Sequence, residues 1–176
     1  MMKKSKRSDV DPFIVMDVME SARIAEEKGK DIIHMEVGQP GTPAPKIAKD
    51  YITNEINKNN LGYTVSLGLP ALRTKISKLY GDWYNLDLNP NRIVVTTGSS
   101  GAFILSFSAL FDSGDRVGIG SPSYPSYRQI LKSLSLETVD IQTKLQNRFQ
   151  PVPEDITDNN LNGILVASPA NPTGSM

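Results

Sequence analysis

The sequence contains no cysteine and only one histidine, His34, among its 176 residues. The absence of cysteine excludes disulfide bonds, thiolate zinc sites and cysteine nucleophiles. A single histidine is too few for a multi-histidine metal cluster, so no metal site is predicted. His34 itself is predicted to be a structural residue whose polar atoms have partners, rather than a catalyst.

An excess of charge of one sign is also missing, as are long hydrophobic runs. Lys and Arg together number 19, and so do Asp and Glu, so no net field favours nucleic acid or an acidic membrane as partner. The apolar runs are far shorter than a membrane span, and no secretory segment follows the start. The basic residues 1–7 could form a nucleic-acid or targeting arm, but without a second basic or aromatic cluster a solvated terminus is favoured. We expect a cytoplasmic enzyme or binding domain.

The first ninety residues are predicted to be mainly helical. Asp11 and Pro12 have the preferences of a helix start. A short strand over 32–35 is predicted to lead into an irregular segment rich in glycine and proline. Further predicted helices cover 45–56 and the residues from Pro70 onward, where Tyr80 and Trp83 are expected to pack in the core.

From residue 89 onward strands and helices alternate, which is typical of a parallel sheet covered on both faces. The predicted fold class is therefore α/β, with a mostly parallel sheet preceded by an N-terminal helical segment. The helix over 99–111 is apolar on nearly all sides, which predicts a buried position. The predicted strands cover residues 92–96, 116–120, 136–141 and 163–167, and the helices between them cover 99–111 and 125–134.

Three polar loops follow predicted strands of this sheet. They contain Gly98-Ser99-Ser100-Gly101, Tyr124 and Asn171, and in a parallel sheet they meet at one edge. The first loop lacks the Lys-Ser/Thr of a P-loop and the spacing of a dinucleotide fingerprint. A single phosphate on a flat ring fits better, with the serine turn at a helix N-terminus, a tyrosine ring for stacking and an amide for a ring oxygen.

Each of these features alone has a purely structural interpretation. Gly98 and Ser99 could simply turn the chain and cap a helix, Tyr124 could pack in the core, and Asn171 before a proline could form a turn. Only the combination favours a ligand site.

In combination, these stretches resemble the class I and II aminotransferases, the fold-type I enzymes that use pyridoxal 5′-phosphate. The similar stretches occur in the family's order along essentially the whole chain. They are Val37-Gly-Gln-Pro40, Tyr63 with Gly68 to Arg73, Thr97-Gly-Ser-Ser-Gly-Ala102, Ser121-Pro-Ser-Tyr124-Pro and Ser168-Pro-Ala-Asn-Pro-Thr-Gly174.

The resemblance implies a role for each matching residue. Gly98, Ser99 and Ser100 would hold the phosphate of pyridoxal 5′-phosphate, Tyr124 would stack on its ring, and Asn171 would bind its phenolic oxygen. The other two matches concern substrate and subunits. Gly38 would lie near the substrate carboxylate, and Tyr63 would reach the phosphate bound by the partner subunit of a homodimer.

The resemblance also implies residues that come after the Asn-Pro-Thr-Gly motif in this family. These are a lysine that binds the cofactor covalently, an aspartate for the pyridine nitrogen and an arginine for the substrate carboxylate. A lysine that binds the cofactor needs a desolvated pocket. Most lysines up to Met176 fall on predicted helices or in the loose N-terminal segment, and none is a convincing substitute. The sequence therefore resembles the N-terminal part of such an enzyme, with residues 1–45 as arm and part of the small domain and 46–176 as an incomplete large domain.

Three functions follow as expectations. The complete protein transfers an amino group from an amino acid to a 2-oxo acid by ping-pong chemistry. Alternatively, it is a pyridoxal-phosphate enzyme that eliminates a β- or γ-substituent, as C–S lyases do. In the third, the 176-residue chain is a catalytically inactive fragment.

Overall fold

The computed structural model describes residues 3–156 and 160–176. The chain divides into two compact units, Met1–Asp17 with Thr97–Met176, here the sheet unit, and Val18–Thr96, here the helical unit. The regular elements are α1 (Ile14–Glu27), α2 (Lys46–Ile56), α3 (Pro70–Tyr84), α4 (Gly98–Leu110), β1 (Arg116–Ser121), α5 (Pro125–Ser133), β2 (Glu137–Gln142) and β3 (Gly163–Leu165). The predicted boundary between small and large domain at residue 45 stays a prediction.

The sheet unit contains a three-stranded parallel sheet in the order β2-β1-β3. β1 is central, with Val117 opposite Thr138 of β2 and Gly163 of β3. Because all three strands run in the same direction, their carboxyl ends lie at one edge. The predicted α/β class and parallel sheet are confirmed.

The core of the sheet unit forms where α4 and α5 cover this sheet. Val117, Ile119 and Leu131 are almost completely buried, and Phe107 and Leu136 complete the cluster. Partly buried apolar side chains surround it, namely Phe103, Phe111, Ile130, Leu134 and Leu165. α5 begins with Pro125 at its first turn, where the missing N–H of proline costs nothing.

A close contact explains the glycine at the start of β3. A Cβ at Gly163 would lie 2.5 Å from Cζ of Phe111 and 2.7 Å from its Cε1, closer than side-chain atoms approach. The absence of a side chain at this position therefore lets the aromatic ring pack directly on the strand backbone.

The helical unit holds α2, α3 and long irregular segments. α3 begins at Pro70 and ends at Tyr84. The next residue, Asn85, has a left-handed φ of 54°, and its N–H donates to the carbonyl of Gly81. This is a common way for a helix to end. The predicted α2 and α3 are confirmed, whereas α1 begins at Ile14 rather than at Pro12.

Two predicted strands are wrong. Residues 32–35 are irregular, and His34 is paired with carboxylates instead of belonging to a sheet. Residues 93–96 are also irregular, with the Val95 N–H donating to the Leu67 carbonyl at 3.0 Å. Among the described residues no strand runs beside either segment, so their apolar runs lack the ladder that defines a strand.

The burial expected from two apolar patterns is also wrong. Trp83 is 67% exposed and Tyr80 is exposed as well, so neither packs in the core. α4 is buried on the side of Phe107 only, because Ile104, Leu105 and Leu110, which lie around the rest of the helix, are exposed. Periodicity identified the helices, but it could not show which sides have a partner. None of the helices in the described ranges is both long and apolar enough to cross a membrane.

Candidate functional site

A small cavity of about 20 Å³ lies at the carboxyl edge of the sheet, a size that suits one water molecule. Its wall comes from the ends of β1 and β3 and from the loops that follow them. The lining residues are Gly120, Pro122, Ser123, Tyr127, Phe149, Gln150, Pro151, Leu165, Val166, Ala167, Ala170 and Asn171. No charged side chain is among these residues, so the wall offers neutral hydrogen-bonding groups and apolar surface.

The N-terminus of α4 carries the predicted serine turn. Gly98 has a φ of 75° and begins the helix, and Ser99 and Ser100 lie exposed in its first turn. Thr97, the preceding residue, makes no side-chain capping bond within the described part of the chain. A 13-residue helix that starts this way favours an anion at its first turn.

Tyr124 and Tyr127 connect this helix to the cavity. Their ring centroids are 5.5 Å apart at 81°, and the Tyr127 ring is 5.1 Å from that of Phe103 at 78°. Phe103 lies on α4 one turn after Ser99 and Ser100. Since Tyr127 also lines the cavity with Asn171, the three predicted loops belong to one continuous neighbourhood.

The loop of Asn171 is held by hydrogen bonds from Gln150 and by a hydrogen bond within the loop. Nε2 of Gln150 donates to the carbonyls of Ala167 at 3.2 Å and Ser175 at 2.7 Å. Within the loop, the Gly174 N–H donates to the Ala170 carbonyl at 2.7 Å, and the left-handed φ of 67° at Gly174 is one that glycine adopts without strain. Asn171 is therefore exposed but carried on a braced turn.

The segment that supplies Gln150 has an unusual backbone. Arg148 and Phe149 are both left-handed, each with a φ of 56°, which is uncommon for residues other than glycine. The two left-handed residues turn the chain so that Phe149 and Gln150 lie in the cavity wall. Such conformations occur preferentially at functional sites.

The predicted site residues fall into two groups. Gly98, Ser99, Ser100, Tyr124 and Asn171 all belong to the sheet unit, where the contacts of Tyr127 link their loops. The remaining two, Gly38 and Tyr63, belong to the helical unit, and the Tyr63 side chain is fully exposed.

Sequence reasoning missed Tyr127 and Gln150 as site residues. Tyr127 is three residues after Tyr124, on the first turn of α5, and this spacing is the signal that could have identified it. Gln150 lies in an irregular segment between strands, and nothing in its sequence context indicates that it reaches two carbonyls of a distant loop.

The ion pairs around His34 belong to the helical unit. Its Nδ1 is 2.6 Å from Oε1 of Glu36 and its Nε2 is 2.9 Å from Oε1 of Glu26. These two carboxylates raise the pKa of His34 to about 9, and the hydrogen bond from His34 lowers the pKa of Glu36. His34 therefore has the partners predicted for it, although it lies on the surface.

Comparison with solved structures supports the fold. The chain superposes on a Mycobacterium tuberculosis aminotransferase with a TM-score of 0.91 and 41% identity, covering 98% of this chain and 45% of the other. A crystal structure from Silicibacter pomeroyi, assigned as an aminotransferase, gives a TM-score of 0.87 and 59% identity over 99% of this chain and 45% of the other.

Curated sequences point to the same family. Valine–pyruvate aminotransferase of Mycobacterium tuberculosis is 43% identical over 97% of this chain, and aspartate aminotransferase of Thermotoga maritima is 34% identical over 90% of it. The chain spans 44% and 43% of the lengths of these two relatives.

A family model settles the assignment. The model of aminotransferase class I and II matches residues 30–176, which include all the predicted site residues. Members of this family depend on pyridoxal 5′-phosphate. The chain belongs to the class I and II aminotransferase family.

Proposed function

We propose that this chain forms the phosphate-binding half of the active site of a pyridoxal-phosphate-dependent aminotransferase. The complete protein would move an amino group from an amino acid to a 2-oxo acid in the cytoplasm. One observation carries the proposal: the N-terminus of α4, the Tyr124 loop and the Asn171 loop belong to one neighbourhood at the carboxyl edge of a parallel sheet.

The first turn of α4 suits a phosphate group. Ser99 and Ser100 are exposed there, and Thr97 does not occupy the helix end as a side-chain cap in the described ranges. Backbone amides and serine hydroxyls donate hydrogen bonds to phosphate oxygens, and the positive end of the helix dipole adds to this attraction. Gly98, Ser99 and Ser100 are accordingly assigned to the cofactor phosphate.

Tyr124 and Asn171 suit the ring of the same cofactor. Tyr124 offers a half-buried ring, whose flat surface stacks on another aromatic ring. Asn171 lies in the cavity wall on a braced turn, and its amide N–H can donate to a phenolic oxygen. When bound, pyridoxal phosphate supplies an electron sink that stabilises negative charge at the substrate carbon.

Other roles lie outside the sheet unit. We assign Gly38 to the segment near the substrate carboxylate, and the fully exposed Tyr63 to the phosphate held by the partner subunit of a homodimer. In this proposal the covalently binding lysine, the aspartate and the arginine come after the Asn-Pro-Thr-Gly motif in the order of the family.

Visible absorption of the full-length protein with pyridoxal phosphate tests the function. An amino acid should bleach the band of the bound cofactor, and a 2-oxo acid should restore it. A protein that stays colourless, or whose band ignores amino acids, would contradict the proposal. Formation of a 2-oxo acid without an acceptor would instead establish elimination.

A further inference from the structure

Six aromatic rings form a continuous row through the sheet unit. Phe13 is 6.2 Å from Tyr124 at 85°, and the row then passes from Tyr124 to Tyr127 and on to Phe103. It continues to Phe107, stacked at 5.5 Å, and ends at Phe111, 6.0 Å further on. The row therefore joins the candidate cofactor site to the buried core.

Tyr124 has a ring neighbour on each side in this row. Phe13 and Tyr127 both meet it at nearly right angles, which is the edge-to-face geometry that aromatic pairs prefer. Tyr127 is itself held, since it is 9% exposed and contacts Phe103 of α4 at 78°. A tyrosine held between two rings has few side-chain orientations open to it.

Phe13 is held in place by the N-terminal segment to which it belongs. Nε2 of Gln129 donates to the Asp11 carbonyl at 3.3 Å, and Nζ of Lys132 lies 3.7 Å from the Asp11 carboxylate. Further along, Nε of Arg7 donates to Oγ of Ser135 at 3.1 Å. The segment is thus attached to α5 and the residues just after it. These contacts hold Phe13 next to Tyr124.

We propose that Phe13 and Tyr127 are positioning residues that fix the orientation of the Tyr124 ring for stacking on the flat heteroaromatic ring of the cofactor. This inference rests on the proposed function, because it takes Tyr124 as the stacking residue. Neither Phe13 nor Tyr127 needs to touch the reacting atoms. Their contribution is to pre-organise the ring, which reduces the ordering cost of binding.

Binding of pyridoxamine 5′-phosphate to the full-length protein tests this role. Phe13→Leu should raise the dissociation constant about two- to tenfold, which corresponds to the loss of one aromatic pair. The circular dichroism of the bound cofactor should also weaken, since it reports how rigidly the neighbouring ring is held. Phe13→Tyr and Tyr127→Phe keep the rings and should leave the dissociation constant and the circular dichroism at their wild-type values. Tyr127→Leu should change both as Phe13→Leu does.

Phe111→Leu is the matched control, because it removes a ring from the far end of the row. It should lower thermal stability but leave the dissociation constant and the circular dichroism of the cofactor unchanged. Unchanged binding and dichroism in Phe13→Leu, with a wild type that binds, would overturn this inference alone. A wild type that does not bind the cofactor would overturn the proposed function, and the inference with it.

Discussion

The two units of the chain differ in what they bury. In the sheet unit, β1, α4 and α5 enclose Val117, Ile119 and Leu131 almost completely. In the helical unit, the apolar side chains of α2 are exposed. Those side chains are Ile47, Tyr51, Ile52 and Ile56. Every buried apolar side chain among the described residues belongs to the sheet unit.

The two units also differ in whether they bury a charged side chain. Arg73 of α3 is only 8% exposed, and its Nε and Nη1 have no hydrogen-bond partner within the described ranges. Buried polar nitrogens without a hydrogen-bond partner are unfavourable, whereas the core of the sheet unit is purely apolar. The comparison indicates that the stability of this chain comes from the same unit that carries the candidate cofactor site.

The largest expected effect comes from removing a core side chain. Leu131 is 0% exposed, so Leu131→Ala should lower the free energy of unfolding by about 2–5 kcal/mol. Leu110→Ala is the matched control, because Leu110 is 72% exposed and should change it by only about 0.5 kcal/mol. Urea denaturation of this chain measures both. Equal losses of unfolding free energy in the two variants would mean that burial of Leu131 does not stabilise the sheet unit.

Two glycine substitutions compare the packing of the sheet unit with that of the helical unit. Gly163→Ala places a Cβ against the Phe111 ring and should cost about 1–3 kcal/mol of unfolding free energy. Gly62→Ala in the helical unit meets no atom within 4 Å and should cost little. The same denaturation experiment checks both, and a neutral Gly163→Ala would argue against close packing of the Phe111 ring on β3.

Arg73 offers a prediction of opposite sign. Arg73→Met keeps a long apolar stem but removes the two buried nitrogens that have no partner in the described ranges, so it should leave the unfolding free energy of this chain unchanged or raise it by about 1–3 kcal/mol. Arg73→Lys keeps the charge and should give no such gain. A large loss in the Met variant would show that the guanidinium is satisfied in solution.

The smallest effect concerns the surface cluster of His34. Its pKa of about 9 lies above the unfolded value of 6.5, so its stabilising contribution is complete below pH 6.5 and is lost as the pH rises through 9. Imidazole NMR titration should give this raised midpoint. Glu36→Gln should lower it, while Glu27→Gln should not, because Glu27 pairs with Arg23. A midpoint near 6.5 in the wild type would contradict the pairing.

The sequence allowed most of the sheet unit to be predicted. The strands β1, β2 and β3 and the helices α4 and α5 follow from alternating apolar segments, and the three polar loops follow from strand order in a parallel sheet. The strands predicted over 32–35 and 92–96 failed because an apolar run becomes a strand only beside another strand. Periodicity contains no information about such neighbours.

The candidate site was predictable only in part. The helix start at Gly98 and the loops of Tyr124 and Asn171 have local sequence signals, so they could be named. The contact of Phe13 with Tyr124 joins residues 111 positions apart in the chain, and the bonds of Gln150 depend on two left-handed residues before it. Long-range contacts of this kind leave no pattern in a single sequence.

The central claim is that the sheet unit holds the phosphate end of the cofactor. Calorimetric titration of the full-length protein with pyridoxamine 5′-phosphate and with pyridoxamine tests it most directly. The double variant Ser99→Ala/Ser100→Ala should weaken binding of the phosphorylated ligand about tenfold or more, as expected for lost charge-assisted hydrogen bonds, and leave pyridoxamine unaffected. Equal weakening of both ligands, or of neither, would contradict the claim.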